Sequence, residues 1–215
     1  MYYPMLTDLV KATFETLYMV SISTLLTIAF GLPLGTLVYS ASTIRPQPKL
    51  FRTLSFIINS IRSIPFIILL VALIPVTRLI VGTSIGMNAA IVPLTIGATP
   101  FFARLVDNIY QSLPSGLIET GFSMGANTRQ IITHFLLPEA RPALIQSITV
   151  TVIALINYSA MAGVVGAGGL GTLAINYGYQ RFDATVMVST VLILMGLVQF
   201  IQVFGDHLSN RYNHT

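Results

Sequence analysis

From Thr16 to Ile44 the chain carries no charged residue, an interval longer than the roughly 20 residues that a helix needs to cross a bilayer. The same spacing recurs. Leu79 to Ala103 is uncharged, as are Pro142 to Gln180 and the stretch between Asp183 and Asp206. The charges therefore divide the chain into five expected spans, at about 14–40, 63–81, 85–106, 141–165 and 184–205. Gly31, Pro33 and Gly35 fall inside the first, where such breakers are tolerated because neighbouring helices re-satisfy the backbone. Residues 53–62, after the connector Arg45, Pro46, Pro48, Lys49 and Arg52, are amphipathic enough to lie at the interface. The interval 142–180 is too long for one crossing, and GVVGAGGLGTL at 163–173 supplies its break.

Composition agrees. Of 215 residues, 54% are hydrophobic and 8% charged, with mean hydropathy +0.80. A soluble domain carries about 25% charged residues, so this chain cannot cover a water-exposed surface and is expected to be an all-α integral membrane protein. Eleven Lys and Arg spread over the chain give net charge +4, which makes no nucleic-acid patch and reads as orientation signal and membrane-lipid contact. There is no cysteine, and His134, His207 and His214 lie outside the apolar runs, so no thiol chemistry or intramembrane His site is expected. The N-terminal apolar stretch is too long for a signal peptide and reads as the first membrane helix.

If residues 112–138 are cytoplasmic, the inside holds Arg45, Lys49, Arg52, Arg104, Arg129, Arg141 and Arg211, with Arg62 an eighth, against Lys11, Arg78 and Arg181 outside. This bias places the N-terminus outside and the C-terminus in the cytoplasm. In the absence of tryptophan, Tyr2, Tyr3, Tyr18, Tyr39, Tyr110, Tyr177, Tyr179 and Tyr212 are the interface anchors available.

One stretch breaks the oily pattern: ETGFSMGANTRQIITHFLLPEA, 119–140. Pro114 and Ser115 open a helix that Gly125 ends as a left-handed cap. Asn127 starts a second helix, with Gln130 in capping-box position, and Pro138 stops it before the fourth span. Helices this short are marginal in water alone, so something must dock against them. Either they pack on the chain's own membrane helices, or a partner grips them.

The stretch resembles the EAA loop of binding-protein-dependent ABC importer permeases. Glu119, Gly125, Leu137 and Pro138 stand on its fixed positions, while Thr120 and Gly121 replace two alanines and Phe135 an isoleucine. The resemblance implies that Glu119, Thr120, Gly121, Gly125, Ala126, Leu137 and Pro138 belong to two short cytoplasmic coupling helices, between the third and fourth spans, seated in a groove of an ATPase. RSIPFIILL at 62–70 is similar to the Arg-x-x-Pro helix start of amino-acid importer permeases. VGTSIG (81–86), AAIVPLTIGA (89–98), SLPSGLIE (112–119), NYSAMAG (157–163) and VGAGGLG (165–171) resemble, in order, the methionine importer branch of this family. The likeness makes 14–207 one transmembrane domain of the cytoplasmic (inner) membrane. It further implies a homodimer, two copies of a separate ATPase that carries the ATP and Mg, and an extracytoplasmic methionine-binding lipoprotein, with no cofactor in this chain.

Within the fourth span, Asn157 and Met161 fall on one helix face with Tyr158 adjoining. Asn157, Tyr158, Ser159 and Met161 are the candidates to line a central passage; helix–helix packing is the competing reading, since small residues serve that too. Arg104 and Asp107 are expected as an exposed i,i+3 pair, leaving no central carboxylate for an ion-coupled carrier. No nucleophile–base or metal-ligand constellation supports a membrane enzyme. GAGGLG at 166–171 matches a dinucleotide fingerprint only as a string, for it follows a membrane helix rather than a strand.

Overall fold

A computed structural model describes residues 2–212, with side chains from 6 onward; the side chains of Tyr2 and Tyr3, and His214, lie outside the described residues. Every regular element in that range is helical. The long helices are α1 (Tyr2–Tyr39), α5 (Met87–Ser112), α8 (Leu137–Ala162) and α10 (Ala184–Arg211). Helices α2 (Pro48–Arg62), α3 (Phe66–Ala72) and α4 (Ile74–Val81) precede α5; α6 (Gly116–Ser123) and α7 (Thr128–Gln130) lie between α5 and α8; α9 (Gly169–Leu173) lies between α8 and α10.

Helices α1 and α5 run parallel. A Cβ on Gly31 would meet Phe102, one on Gly35 would meet Ala103 and Val106, Tyr18 hydrogen-bonds Asn88, and Tyr39 contacts Tyr110. The contact is close because Ser23, Thr27, Gly31 and Gly35, spaced four apart on α1, are all buried. Such small-residue stripes let membrane helices approach where apolar surface gives no advantage over lipid. A parallel pair has one geometric consequence: the connection between them, 45–86, must return the full length of the bundle. It does so as a broken span. Helices α2 and α3 are bent by 100° about Ser63–Pro65, and α3 and α4 are separated at Leu73, before Pro75. Among the described residues, four helices are long and apolar enough to cross alone, and five if the bent pair counts as one. The expected straight span at 63–81 is thus a pair of short helices, because Pro65 and Pro75 each withhold a backbone donor. The first helix also exceeds the expected 14–40, and the last runs past 205.

The two ends of the bundle differ. At one end Tyr39, Tyr110, Ile118, Ile131, Leu136 and Ala140 form a common core, so the ends of α1 and α5, the 112–138 segment and the start of α8 come together. At the other end, Leu9 and Ala12 of α1 pack on Leu170, and Gly86 donates its N–H to Gly166 O at 3.1 Å.

Candidate functional site

The segment 112–138 is built by its caps. Helix α6 ends in a Schellman motif: Ala126 N–H reaches Gly121 O at 3.0 Å and Gly125 N–H reaches Phe122 O at 2.9 Å, with Gly125 at φ +76°, a region open to glycine at no steric cost. Asn127 then opens α7 by a reciprocal capping box, Gln130 N–H to Asn127 Oδ1 and Asn127 N–H to Gln130 Oε1, each 2.9 Å. Glu119 lies in the first turn of α6, where its charge complements the positive end of the helix. Ser115 precedes the helix without a side-chain cap bond.

Pro138 does not stop the second helix. From Thr128 to Val165 the chain is one continuous helix, so only α6 is a separate short helix, and α7 is the first turn of the fourth span. A π-turn at Ile131–Leu136 makes this possible. Leu137 N–H bonds Ile132 O, five residues back, and the widened turn takes up the donor that Pro138 lacks and the clash its ring would cause. Leu137 and Pro138 are half-buried in that helix.

The segment has a buried root and an exposed crown. Ile118, Ile131 and Leu136 pack into the core with Tyr39 and Tyr110. Gly121, one of the departures from the alanine pattern, is buried where α6 meets the following helix, and a Cβ there would lie 3.0 Å from Ile131 Cγ1. On the outer side Glu119, Thr120, Gly125, Arg129 and Gln130 are exposed and Ala126 is half-buried. Sequence reasoning missed Phe122 and Met124, which are 49% and 73% exposed on the same crown. The available signal was their apolar character inside a segment otherwise read as half-polar.

The passage candidates separate. Asn157 and Met161 are exposed on one face of α8, with Val150 and Val164 continuing it. Asn157 also borders a cleft of about 260 Å³ against α10, whose walls include Met195 and Gln199; Gln199, an uncharged polar residue within the fifth span, was not singled out from sequence. Tyr158 is half-buried and stacks on Phe66 of α3, centroids 4.4 Å apart. Ser159 points away: it is buried and donates to Ile156 O at 2.7 Å.

A charged network joins α2 to α5. Arg104 Nη1 contacts Asp107 Oδ2 at 2.8 Å, Gln111 Nε2 donates to Asp107 Oδ1 at 3.0 Å, and Arg104 Nη2 donates to Asn59 Oδ1 at 3.0 Å. The expected exposed pair is therefore wrong for Asp107, which is wholly buried. The apolar tiling hid this, because burial against α1 and α2 does not show in one helix's charge pattern.

The GAGGLG turn is a packed corner. Glu15 Oε2 accepts from Gly169 N–H at 2.8 Å and Thr16 Oγ1 accepts from Leu170 N–H at 2.9 Å. The donors a phosphate would need are thus taken by α1, and no strand precedes them among the described residues. Nor do three His, Asp or Glu side chains there converge to hold a metal.

A polytopic helical bundle that roots a capped segment in its core and leaves that segment's crown exposed has the form of a transporter's membrane subunit. The chain belongs to the binding-protein-dependent transport system inner membrane components, whose family profile matches residues 11–214. It is therefore a multi-pass protein of the inner membrane. Among its relatives, the probable D-methionine transport system permease protein MetI of Vibrio cholerae is 50% identical over 96% of this chain and 92% of its own. The D-methionine transport system permease protein MetI of Escherichia coli K12 is 52% identical over 74% of this chain and 75% of its own. A solved structure of the MetNI methionine ABC transporter, inward-facing, superposes at TM-score 0.98 with 50% identity and complete coverage of both chains. An amino acid ABC transporter structure shares the fold at TM-score 0.79 and 17% identity, over 98% of this chain and 95% of that one.

Proposed function

We propose that this chain is the membrane-spanning permease subunit of an ATP-driven methionine importer, with residues 14–207 as its transmembrane domain. It works as a homodimer on two copies of a cytoplasmic ATPase, which holds ATP and Mg, and takes methionine from an extracytoplasmic binding lipoprotein. The observation that carries this is the 112–138 segment: a rigid, doubly capped handle with an apolar root and an exposed crown bearing Phe122 and Met124. Exposed apolar side chains in a fixed frame mark a docking site, and 50% identity to a methionine permease across 96% of the chain supports its reading as an ATPase grip.

The orientation that follows puts the crown in the cytoplasm and the N-terminus outside, in agreement with the positive-inside count. Closure of the ATPase pair pulls on Glu119, Thr120, Gly121, Gly125, Ala126, Leu137 and Pro138. Because α7 continues into α8, the pull reaches the face of Asn157 and Met161 without a flexible joint, and the passage opens outward by alternating access. Tyr158 adjoins that face, while Ser159 serves the helix's own packing.

An ion-coupled carrier is the rival from another class. Its requirement, a free intramembrane carboxylate, is not met by Asp107, which Arg104 and Gln111 occupy. Methionine uptake into proteoliposomes that contain the permease, its ATPase and the binding protein tests the reading. Uptake should need ATP and survive collapse of ion gradients; uptake driven by a proton or sodium gradient without ATP would overturn it.

A further inference from the structure

At the bend between α2 and α3 the chain encloses a cleft of about 140 Å³, whose walls include Arg62, Ile64, Phe66, Gly97, Phe101 and Tyr158. Arg62 is its one charged lining residue, and among the described residues the guanidinium has no ion pair or hydrogen bond. Arg62 ends α2 and is exposed at the mouth of the cleft, so its guanidinium is free to meet an anionic group that enters. The apolar wall is aromatic, with Phe66 and Tyr158 stacked at 4.4 Å. Gly97 keeps the cleft open beside them, since a Cβ there would stand 3.3 Å from both Phe66 and Leu69.

We infer that this cleft is a subsite of the permease itself for the transported amino acid, its carboxylate on Arg62 and its thioether side chain against Phe66, Phe101 and Tyr158. This rests on the methionine-importer reading and adds a site on this chain to it. Three physical matches carry the assignment. Guanidinium and carboxylate form a charge-assisted, often bidentate pair. A thioether gains from contact with aromatic rings, sulfur about 5 Å from the ring. The volume suits one small side chain: a cavity of about 150 Å³ holds a benzene-sized molecule, which is too little for an acyl chain. Place supports the match as well, because Tyr158 adjoins Asn157 on the helix that bears the proposed passage. The subsite would also respond to the transport cycle. Asn59, one turn before Arg62 on α2, is held by Arg104 of α5, so movement of α5 against α2 alters the cleft.

The test uses the permease–ATPase complex in nanodiscs without the binding protein, and a diazirine-bearing photoreactive methionine as probe. Adducts on this chain should fall within 61–66, 97–101 or at Tyr158, and excess methionine should abolish them while methionine methyl ester, lacking the carboxylate, should not. Arg62→Gln should reduce labelling about tenfold or more, as loss of a hydrogen-bonded charge pair implies, and Arg62→Lys should recover part of it. Lys49→Gln, exposed on the same helix, should leave it unchanged; basal ATPase activity verifies assembly of each variant. Adducts elsewhere, labelling indifferent to Arg62→Gln, or displacement by phosphatidylglycerol as readily as by methionine would overturn the subsite, the last assigning the cleft to lipid. Uptake by the wild-type complex separates the two claims. ATP-driven methionine uptake with failed labelling removes the subsite alone, whereas no methionine uptake removes the importer reading and the subsite with it.

Discussion

The buried carboxylate of Asp107 gives the sharpest stability prediction. Its side chain is 1% exposed and it is held at 2.8 Å by Arg104 and at 3.0 Å by Gln111. Asp107→Ala leaves the guanidinium without its counter-charge. Removing one member of a buried pair costs about 3–5 kcal/mol, because the other charge stays desolvated. Arg104 keeps Asn59 and is 19% exposed, which places the cost near the lower end, about 3 kcal/mol. For a chain of this size each kcal/mol is worth roughly 2–4 °C, so the midpoint should fall by about 6–12 °C. Asp107→Asn keeps the shape and one acceptor and should lose less. The double substitution Arg104→Met, Asp107→Leu removes both charges and should recover most of the loss, since an apolar pair of similar volume is often as stable as a buried ion pair. Tyrosine fluorescence of the purified chain in detergent during heating reads the midpoint, the chain having no tryptophan. An Asp107→Ala midpoint within about 2 °C of wild type, or a double variant no better than the single, would refute the argument that burial of an unpaired charge sets the cost.

Gly125→Ala adds a Cβ that meets nothing within 4 Å, so its cost is the backbone alone, about 1–2 kcal/mol for a left-handed residue, read as a small midpoint shift with uptake retained. Gly125→Pro also deletes the N–H that bonds Phe122 O and should abolish ATP-dependent uptake while membrane insertion, checked by fractionation, stays intact. Glu119→Lys, on the exposed crown, should raise the ATP hydrolysed per methionine imported, with an unchanged thermal midpoint. Gly205→Val places a side chain against Thr149 of α8, which already blocks the first carbon; overpacking of about 1–3 kcal/mol should appear as a lower midpoint. Insertion of two glycines between Leu136 and Leu137 should leave ATPase binding, measured by co-purification, and abolish uptake.

Much of this architecture was legible because the bilayer imposes a length on apolar runs. The long helices α1, α5, α8 and α10 each overlap an uncharged interval of the sequence, and the Asn127–Gln130 cap and the Gly125 break are written in local chemistry that tertiary contacts do not override. What escaped was whatever depends on a second helix. The 100° bend before Phe66 and the division at Leu73 follow from prolines whose presence was visible, yet whether a membrane proline kinks or breaks a helix depends on what re-satisfies the freed carbonyl. Asp107 looked exposed on its own helix and is buried by the neighbouring ones. Gly121 was legible only as a departure from an alanine pattern and is the place where Ile131 comes close.

Pro138 shows the same limit in the segment proposed to couple to an ATPase. Read alone, a proline after a short helix ends it, and two isolated coupling helices follow. The π-turn at Ile131–Leu136 removes that ending, and what remains is one continuous helix from Thr128 to Val165. At about 1.5 Å per residue its 38 residues form a rod of roughly 57 Å. Its foot is in the exposed crown and its upper half carries Asn157 and Met161. A tether with a free joint would dissipate a pull from below in local unfolding, whereas a continuous helix turns it into tilt or translation of the whole rod. In the function we propose, the root formed by Ile131, Leu136 and Ala140 against Tyr39 and Tyr110 serves as the fulcrum, so that a displacement of the crown is carried to the proposed passage face of Asn157 and Met161. The wide turn that accommodates Pro138 is therefore what keeps the crown and the Asn157 face on one continuous helix.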